Sequence, residues 1–213
     1  MNSNLLKLYG EVDRCSFCAA EKNTLQHIHG FGAIKPELML VLVNPTHRNL
    51  SSSPTYTGQR FPFIGVRQFW RVLGDAGLLD KKISNSLPLR KEWTTAHTRD
   101  VQHELLKNKL FLTNVVKCCY DHSAYPQPKV IQTHIEYLKK EIQLVAPKRI
   151  IAFSGMVFKT LTGETIKLGS YWTNAERKEY REILSGKSIP VIPCYFPIGR
   201  GNPKKAMFAL RTL

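Results

Sequence analysis

Four short, nearly uninterrupted apolar runs, Leu38–Val43, Leu110–Val116, Arg149–Phe153 and Val191–Phe196, set the tightest limit on what this chain can fold into. Runs of that length bounded by turn residues fit strands buried on both faces, and such strands belong in a parallel sheet covered by helices. The intervals between them carry helical rhythm. Val66, Phe69, Trp70, Leu73 and Ala76 recur at three and four before Gly77, and Ile131, Ile135, Leu138, Ile142 and Val145 do so after Pro128. Shorter helices are expected around Asn4–Tyr9, at 99–107, over Gly155–Leu161 and over Pro203–Leu213. The alternation predicts an α/β fold of three αβα layers around a four-stranded parallel sheet, as a single domain over residues 1–213. Residues 46–60 read as a loop, 80–108 as a surface excursion without clear period, and 164–189 as a charged hairpin or loop.

Composition narrows the partners. With 31 Lys plus Arg against 16 Asp plus Glu, the formal charge is +15, which attracts a polyanion; nucleic acid is the first partner to consider, a merely solubilising basic surface the alternative. No apolar run approaches the roughly 20 residues that span a bilayer, and the N-terminus lacks a basic stretch followed by a long apolar one, so no membrane partner and an intracellular, cytoplasmic protein are expected. The cysteine pair Cys15-Ser-Phe-Cys18 in such a chain points to metal or redox chemistry more than to disulfides.

In an open parallel sheet, ligands bind beyond the carboxyl ends of the strands. The segments to watch are therefore Asn44-Pro-Thr-His47, Asn114 with Lys117-Cys118, Ser154-Gly155 and Phe196-Pro-Ile-Gly-Arg200. An Asn side chain there can align a water or match both a donor and an acceptor on a base edge. Each residue also has an ordinary reading: Asn44 as a turn residue before Pro45, Asn114 as a cap, Phe63 as core.

Several segments resemble the uracil-DNA glycosylase superfamily. The strand Leu38 to Pro45, ending Val43-Asn44-Pro45, is similar to its first motif, and the Asn-Pro ending looks like the mismatch-specific branch. Gly58-Gln-Arg-Phe-Pro-Phe63-Ile-Gly65, running into Gln68-Phe-Trp70, is similar to the loop that supplies a ring stacked on the flipped base. Thr113-Asn-Val-Val-Lys-Cys118, with Pro128, Tyr137-Leu138 and Pro147-Lys-Arg-Ile-Ile-Ala152, resembles the iron-sulfur branch, often called family four. The resemblance implies a monomeric DNA-repair glycosylase that flips a uracil or related deaminated or mispaired base from DNA and hydrolyses its N-glycosidic bond.

It also implies roles. Asn44 aligns the attacking water, Phe63 stacks on the base, Asn114 reads its pairing edge, and Val43, Phe196 and Arg200 lie around the substrate. Thr46 stands where a Tyr excludes the thymine methyl in the most selective branch. The last motif departs from the usual His-Pro-Ser, reading Tyr195-Phe-Pro-Ile-Gly-Arg-Gly201, so Phe196 offers no donor to the departing base; His47 is the compensating donor or a surface loop residue. A four-iron, four-sulfur cluster is implied on Cys15, Cys18 and Cys118, with the fourth place falling on His134, 16 residues after Cys118. Three Cys and one His equally make a structural zinc set, so both metals stay open, as does Cys119 for His134. Cys194 is read as core. The rival readings are a binding module of the same fold that releases no base, and an unrelated metal-containing nucleotide hydrolase, which the lack of a Walker loop or paired carboxylates disfavours.

Overall fold

The computed structural model describes residues 3–16, 24–51, 53, 55–89, 92–121, 125–174, 179–184, 187–199 and 201–213. The four apolar runs become β3 (Leu38–Leu42), β4 (Leu110–Asn114), β6 (Arg149–Phe153) and β8 (Lys187–Cys194). They lie side by side in the order β4, β3, β6, β8 and pair in parallel throughout. Every residue of β3 and β4 is buried, which explains why both read as continuous apolar runs rather than alternating ones.

The expected four-stranded sheet is corrected to a six-stranded mixed one. An antiparallel strand closes each edge: β2 (Phe31–Gly32) on β4, and β7 (Tyr180–Leu184) on β8. Edge strands face solvent along one side, so β2 is only two residues long and β7 carries Arg181 and Glu182, neither leaving an apolar run. A separate two-stranded ribbon joins β1 (Thr24–His27) to β5 (Cys118–Tyr120) antiparallel, with His27 opposite Cys118.

Helices cover both faces, as the three-layer expectation requires. One face carries α1 (Ser3–Asp13), α5 (Pro128–Val145) and α6 (Gly155–Thr162), with Leu5, Leu138, Ile142 and Phe158 packed on Met39, Val41 and Ile150 of the sheet. The other carries α2 (Arg67–Asp75), α4 (Thr95–Lys107) and α8 (Pro203–Arg211), with Phe69, Trp70, Leu105 and Leu210 packed on Leu40, Leu42 and Phe153. Alternate residues of β3 thus serve opposite cores. Pro128 opens α5 at its first turn, as its missing N–H permits, and Ala146 closes it in a left-handed conformation. No helix among the described residues is long and apolar enough to cross a membrane.

Residues 80–108 are not a surface excursion. They fold into α3 (Lys81–Ser86) and α4, and the segment between them brings Leu87 and Trp93 into the core, Trp93 with no exposed surface. The helix expected at 99–107 is present as α4; the excursion around it is not, because Leu87 and Trp93 each come alone among polar or turn residues, so no period develops. Residues 164–189 likewise hold a helix, α7 (Leu168–Thr173), as well as most of the β7–β8 hairpin. Trp93→Ala is expected to lower unfolding free energy by about 3–5 kcal/mol in a denaturant titration; a change within about 0.5 kcal/mol, usual for a surface site, would restore the excursion.

Candidate functional site

The parallel pairing of β3 and β4 decides where the two asparagines lie. Leu42 stands opposite Asn114, and the ladder continues beyond both strands, Val115 N–H donating to Leu42 O at 2.7 Å and Val116 N–H to Val43 O at 2.9 Å. Asn44 and Asn114 therefore leave neighbouring central strands at their carboxyl ends. Asn44 is half-buried and its Nδ2 donates to Pro45 O at 3.1 Å. The chain then turns: Thr46 N–H donates to Oδ1 of buried Asn49 at 2.6 Å, closing a 3-10 turn that begins at half-buried His47. Asn114 has no exposed surface, and neither its Oδ1 nor its Nδ2 meets a hydrogen-bond partner among the described residues. A buried amide in that state carries a desolvation penalty of about 1–3 kcal/mol, which a matching ligand edge relieves.

Phe63 sits in a tight turn with φ = 67°, a left-handed conformation costing on the order of 1–3 kcal/mol for a non-glycine residue. The turn is held because Phe63 O accepts from both Val66 N–H and Trp70 Nε1–H, each at 3.0 Å. Its ring is buried, stacked on Phe69 at 4.3 Å between centroids, and belongs to the apolar cluster that includes Leu42 and Phe153 at the tips of β3 and β6. Half-buried Phe196, in the loop after β8, packs on that same cluster. The loop bends back tightly: a Cβ on Gly201 would stand 2.1 Å from Phe196 O, and Gly199 N–H donates to Gln68 Oε1 of α2 at 3.1 Å. Beside it, Arg67, Arg71 and Lys204 line a groove of about 430 Å³ between α2 and α8. Arg200 lies outside the described residues. Val43 does not join Phe63; its side chain packs in the opposite core with Val116 and Cys118.

Behind the strand tips, sulfur and imidazole converge. Nε2 of His134 on α5 stands 3.3 Å from Cys118 Sγ and 3.9 Å from Cys15 Sγ, all three residues being buried. Lys117 N–H donates to His134 Nδ1 at 3.3 Å, which aims Nε2 at the sulfurs. Burial, then the charges of Lys117 and of His27, push His134 down to about 3, so the ring is neutral at neutral pH. Among the described residues no three His, Cys, Asp or Glu side chains form a complete metal-holding group. Cys18, which the sequence assigns to this cradle, lies outside them. Alternation along β5 sends Cys119 to the face opposite Cys118. Cys194 is core, as expected, its thiol pushed up to about 12 by burial.

A buried charge network that the sequence did not reveal lies between the cradle and Asn114. Lys117 Nζ donates to Glu141 Oε2 at 2.6 Å, to Asn114 O at 2.8 Å and to Thr113 Oγ1. Burial depresses the Lys117 ammonium below its usual range, opposed by the charge of Glu141. Glu141 also accepts from Thr113 Oγ1 at 2.8 Å and from Tyr9 OH at 2.6 Å, and burial, reinforced by Glu141, holds the Tyr9 phenol well above its usual value. One signal was legible: Glu141 falls on the buried stripe of α5 with His134, Leu138 and Val145, where a carboxylate needs a partner. His27 was missed too. Its ring lies 6.5 Å from that of His134.

A family model described as the uracil DNA glycosylase superfamily matches residues 29–211. The chain is 23% identical over 194 residues to a type-4 uracil-DNA glycosylase of Pyrobaculum aerophilum, covering 91% of this chain and 83% of that protein. It is 26% identical over 195 residues to a type-4 uracil-DNA glycosylase of Sulfurisphaera tokodaii, covering 91% and 74% respectively. With the match running from the turn before β2 to the end of α8, and so taking in the whole six-stranded sheet, the chain belongs to the uracil DNA glycosylase superfamily.

Proposed function

We propose that the chain is a monofunctional DNA glycosylase of base excision repair, hydrolysing the N-glycosidic bond of uracil or a related deaminated or mispaired base extruded from DNA. One observation carries the reading: Asn114 buries an amide with both polar ends unmet, on the strand tip next to Asn44. A uracil edge answers it, N3–H donating to Oδ1 and O4 accepting from Nδ2, whereas cytosine presents the reverse pattern. The names of the two similar proteins agree with this substrate.

Bond cleavage leaves positive charge on the sugar and negative charge on the base, while a water adds its oxygen to the anomeric carbon and gives up a proton. Asn44 orients that water through its amide, which is too weak a base to activate it strongly, so the enzyme is slower than one with a carboxylate there. Phe63 stacks on the base, with Phe196 bounding the site; Val43, its side chain in the opposite core, reaches the site through its backbone alone. Phe196 has no donor for the departing anion, and His47, on the turn after Asn44, is the nearest substitute in sequence. Lys204 and Lys205 meet the phosphates, a role the resemblance gives to Arg200 as well, and the +15 charge draws DNA to the monomeric, single-domain protein in the cytoplasm. Phe196 and the weak Asn44 favour a second reading, a module that binds the base without releasing it.

For the cofactor we propose a four-iron, four-sulfur cluster held by Cys15, Cys18 and Cys118 with His134 in the fourth place, zinc being the alternative. Sulfur and imidazole are donors a soft metal prefers, and His134 Nε2 lies 3.3 Å from Cys118 Sγ and 3.9 Å from Cys15 Sγ; Cys118 is disulfide-bonded in this structure and would ligate only once reduced. Because Nδ1 accepts from Lys117, a neutral ring carries its proton on Nε2, and that nitrogen, facing the sulfurs, would hold the group once the proton had passed to solvent. When bound, such a group clips the segment after α1 to the loop behind Asn114 and serves no chemical step.

Asn44→Ala is expected to keep affinity for a uracil-containing oligonucleotide and lose about 100-fold in single-turnover base release; release at the original rate would refute the water-aligning role. Asn114→Leu removes the unmet amide, so its melting point should rise, consistent with relief of about 1–3 kcal/mol, while uracil excision collapses. A lower melting point would mean that the amide is paired in solution. Purified protein should be brown, with iron and acid-labile sulfide that Cys118→Ala loses; a colourless protein with stoichiometric zinc overturns the cluster.

A further inference from the structure

Lys117 is tied at both its ends. Its side chain is 1% exposed and its ammonium places all three hydrogens, on Glu141, on the Asn114 carbonyl and on the Thr113 hydroxyl, while its backbone N–H goes to His134. Glu141 and His134 are seven residues apart on α5, two turns along one face, so one residue straps the tip of β4 to a single helix stripe. The strap is anchored further. Tyr9 of α1 holds Glu141 from the other side, and Gly30 makes the room, since a Cβ there would stand 2.6 Å from Glu141 Oε1.

A buried ion pair is an expensive way to fill this space, because apolar side chains of similar volume commonly give equal or greater stability. What apolar side chains lack is direction. The ammonium fixes the carbonyl of the one residue among those described whose side chain has two unmet polar atoms, on the last position of a strand, where the ladder no longer holds the chain from both sides. We propose that Lys117, backed by Glu141, is a positioning residue for base recognition: it sets the orientation in which the Asn114 amide meets the pyrimidine edge. The inference rests on the base-reading role of Asn114 given above.

The test uses the double variant K117M/E141Q, which removes both charges yet leaves an acceptor for Tyr9, while the new amide N–H can donate to the Thr113 hydroxyl. Binding is measured to two strands identical but for one position, 2′-fluoro-deoxyuridine or 2′-fluoro-deoxycytidine, whose fluorine suppresses cleavage. The original protein prefers the uridine strand; the folded variant is expected to lose about tenfold of that preference, the weight of one base-edge contact. A folded variant with undiminished preference overturns the proposal and leaves Lys117 a purely structural role. Should the double variant fail to fold, Thr113→Val loosens the same strap, with a smaller loss of preference expected and an unchanged preference again overturning it. If the original protein shows no preference, the base-reading role of Asn114 itself falls, a different result from either.

Discussion

The parallel ladder between β3 and β4 governs everything of consequence in this molecule. Because it runs on past both strands, through Val115 to Leu42 and Val116 to Val43, the two asparagines leave adjacent strands in a fixed relation. Parallel pairing also requires both faces to be covered, which is why β3 has Met39 and Val41 in one core and Leu40 and Leu42 in the other. The two cores flank the strand tips, with the aromatic cluster of Phe63, Phe69 and Phe153 on one side and the cradle of Cys15, Cys118 and His134 on the other.

Around those tips the fold keeps several features that cost stability. Phe63 holds a left-handed backbone, Asn114 buries an unmet amide, and Lys117 with Glu141 buries a pair of charges. Each is tolerable alone. Their concentration along the carboxyl edge of the sheet is the pattern expected of a site shaped for a ligand rather than for the free protein.

Much of this was legible in the residues. Strands buried on both faces write themselves as apolar runs, so β3, β4, β6 and β8 could be read directly, as could α5 from Pro128 and its stripe. The edges could not, since β2 is two residues long and β7 is charged. Trp93 was hidden by its polar neighbours. Asn44 and Asn114 stood out by their place after strands and Phe63 through motif resemblance, but that Asn114 is wholly buried needed coordinates. Tyr9 and Glu141, 132 residues apart, meet only in the folded chain, and no spacing announces such a contact.

The proposed activity has the tips of β3 and β4 hold a uracil and release it. Its most direct measurement incubates the unmodified protein with matched oligonucleotides carrying uracil or cytosine at one position, followed by alkaline cleavage. Abasic sites at uracil and none at cytosine are the predicted result. Tight binding of the uracil strand with no abasic site would contradict it and leave a protein that recognises the base without cutting it free.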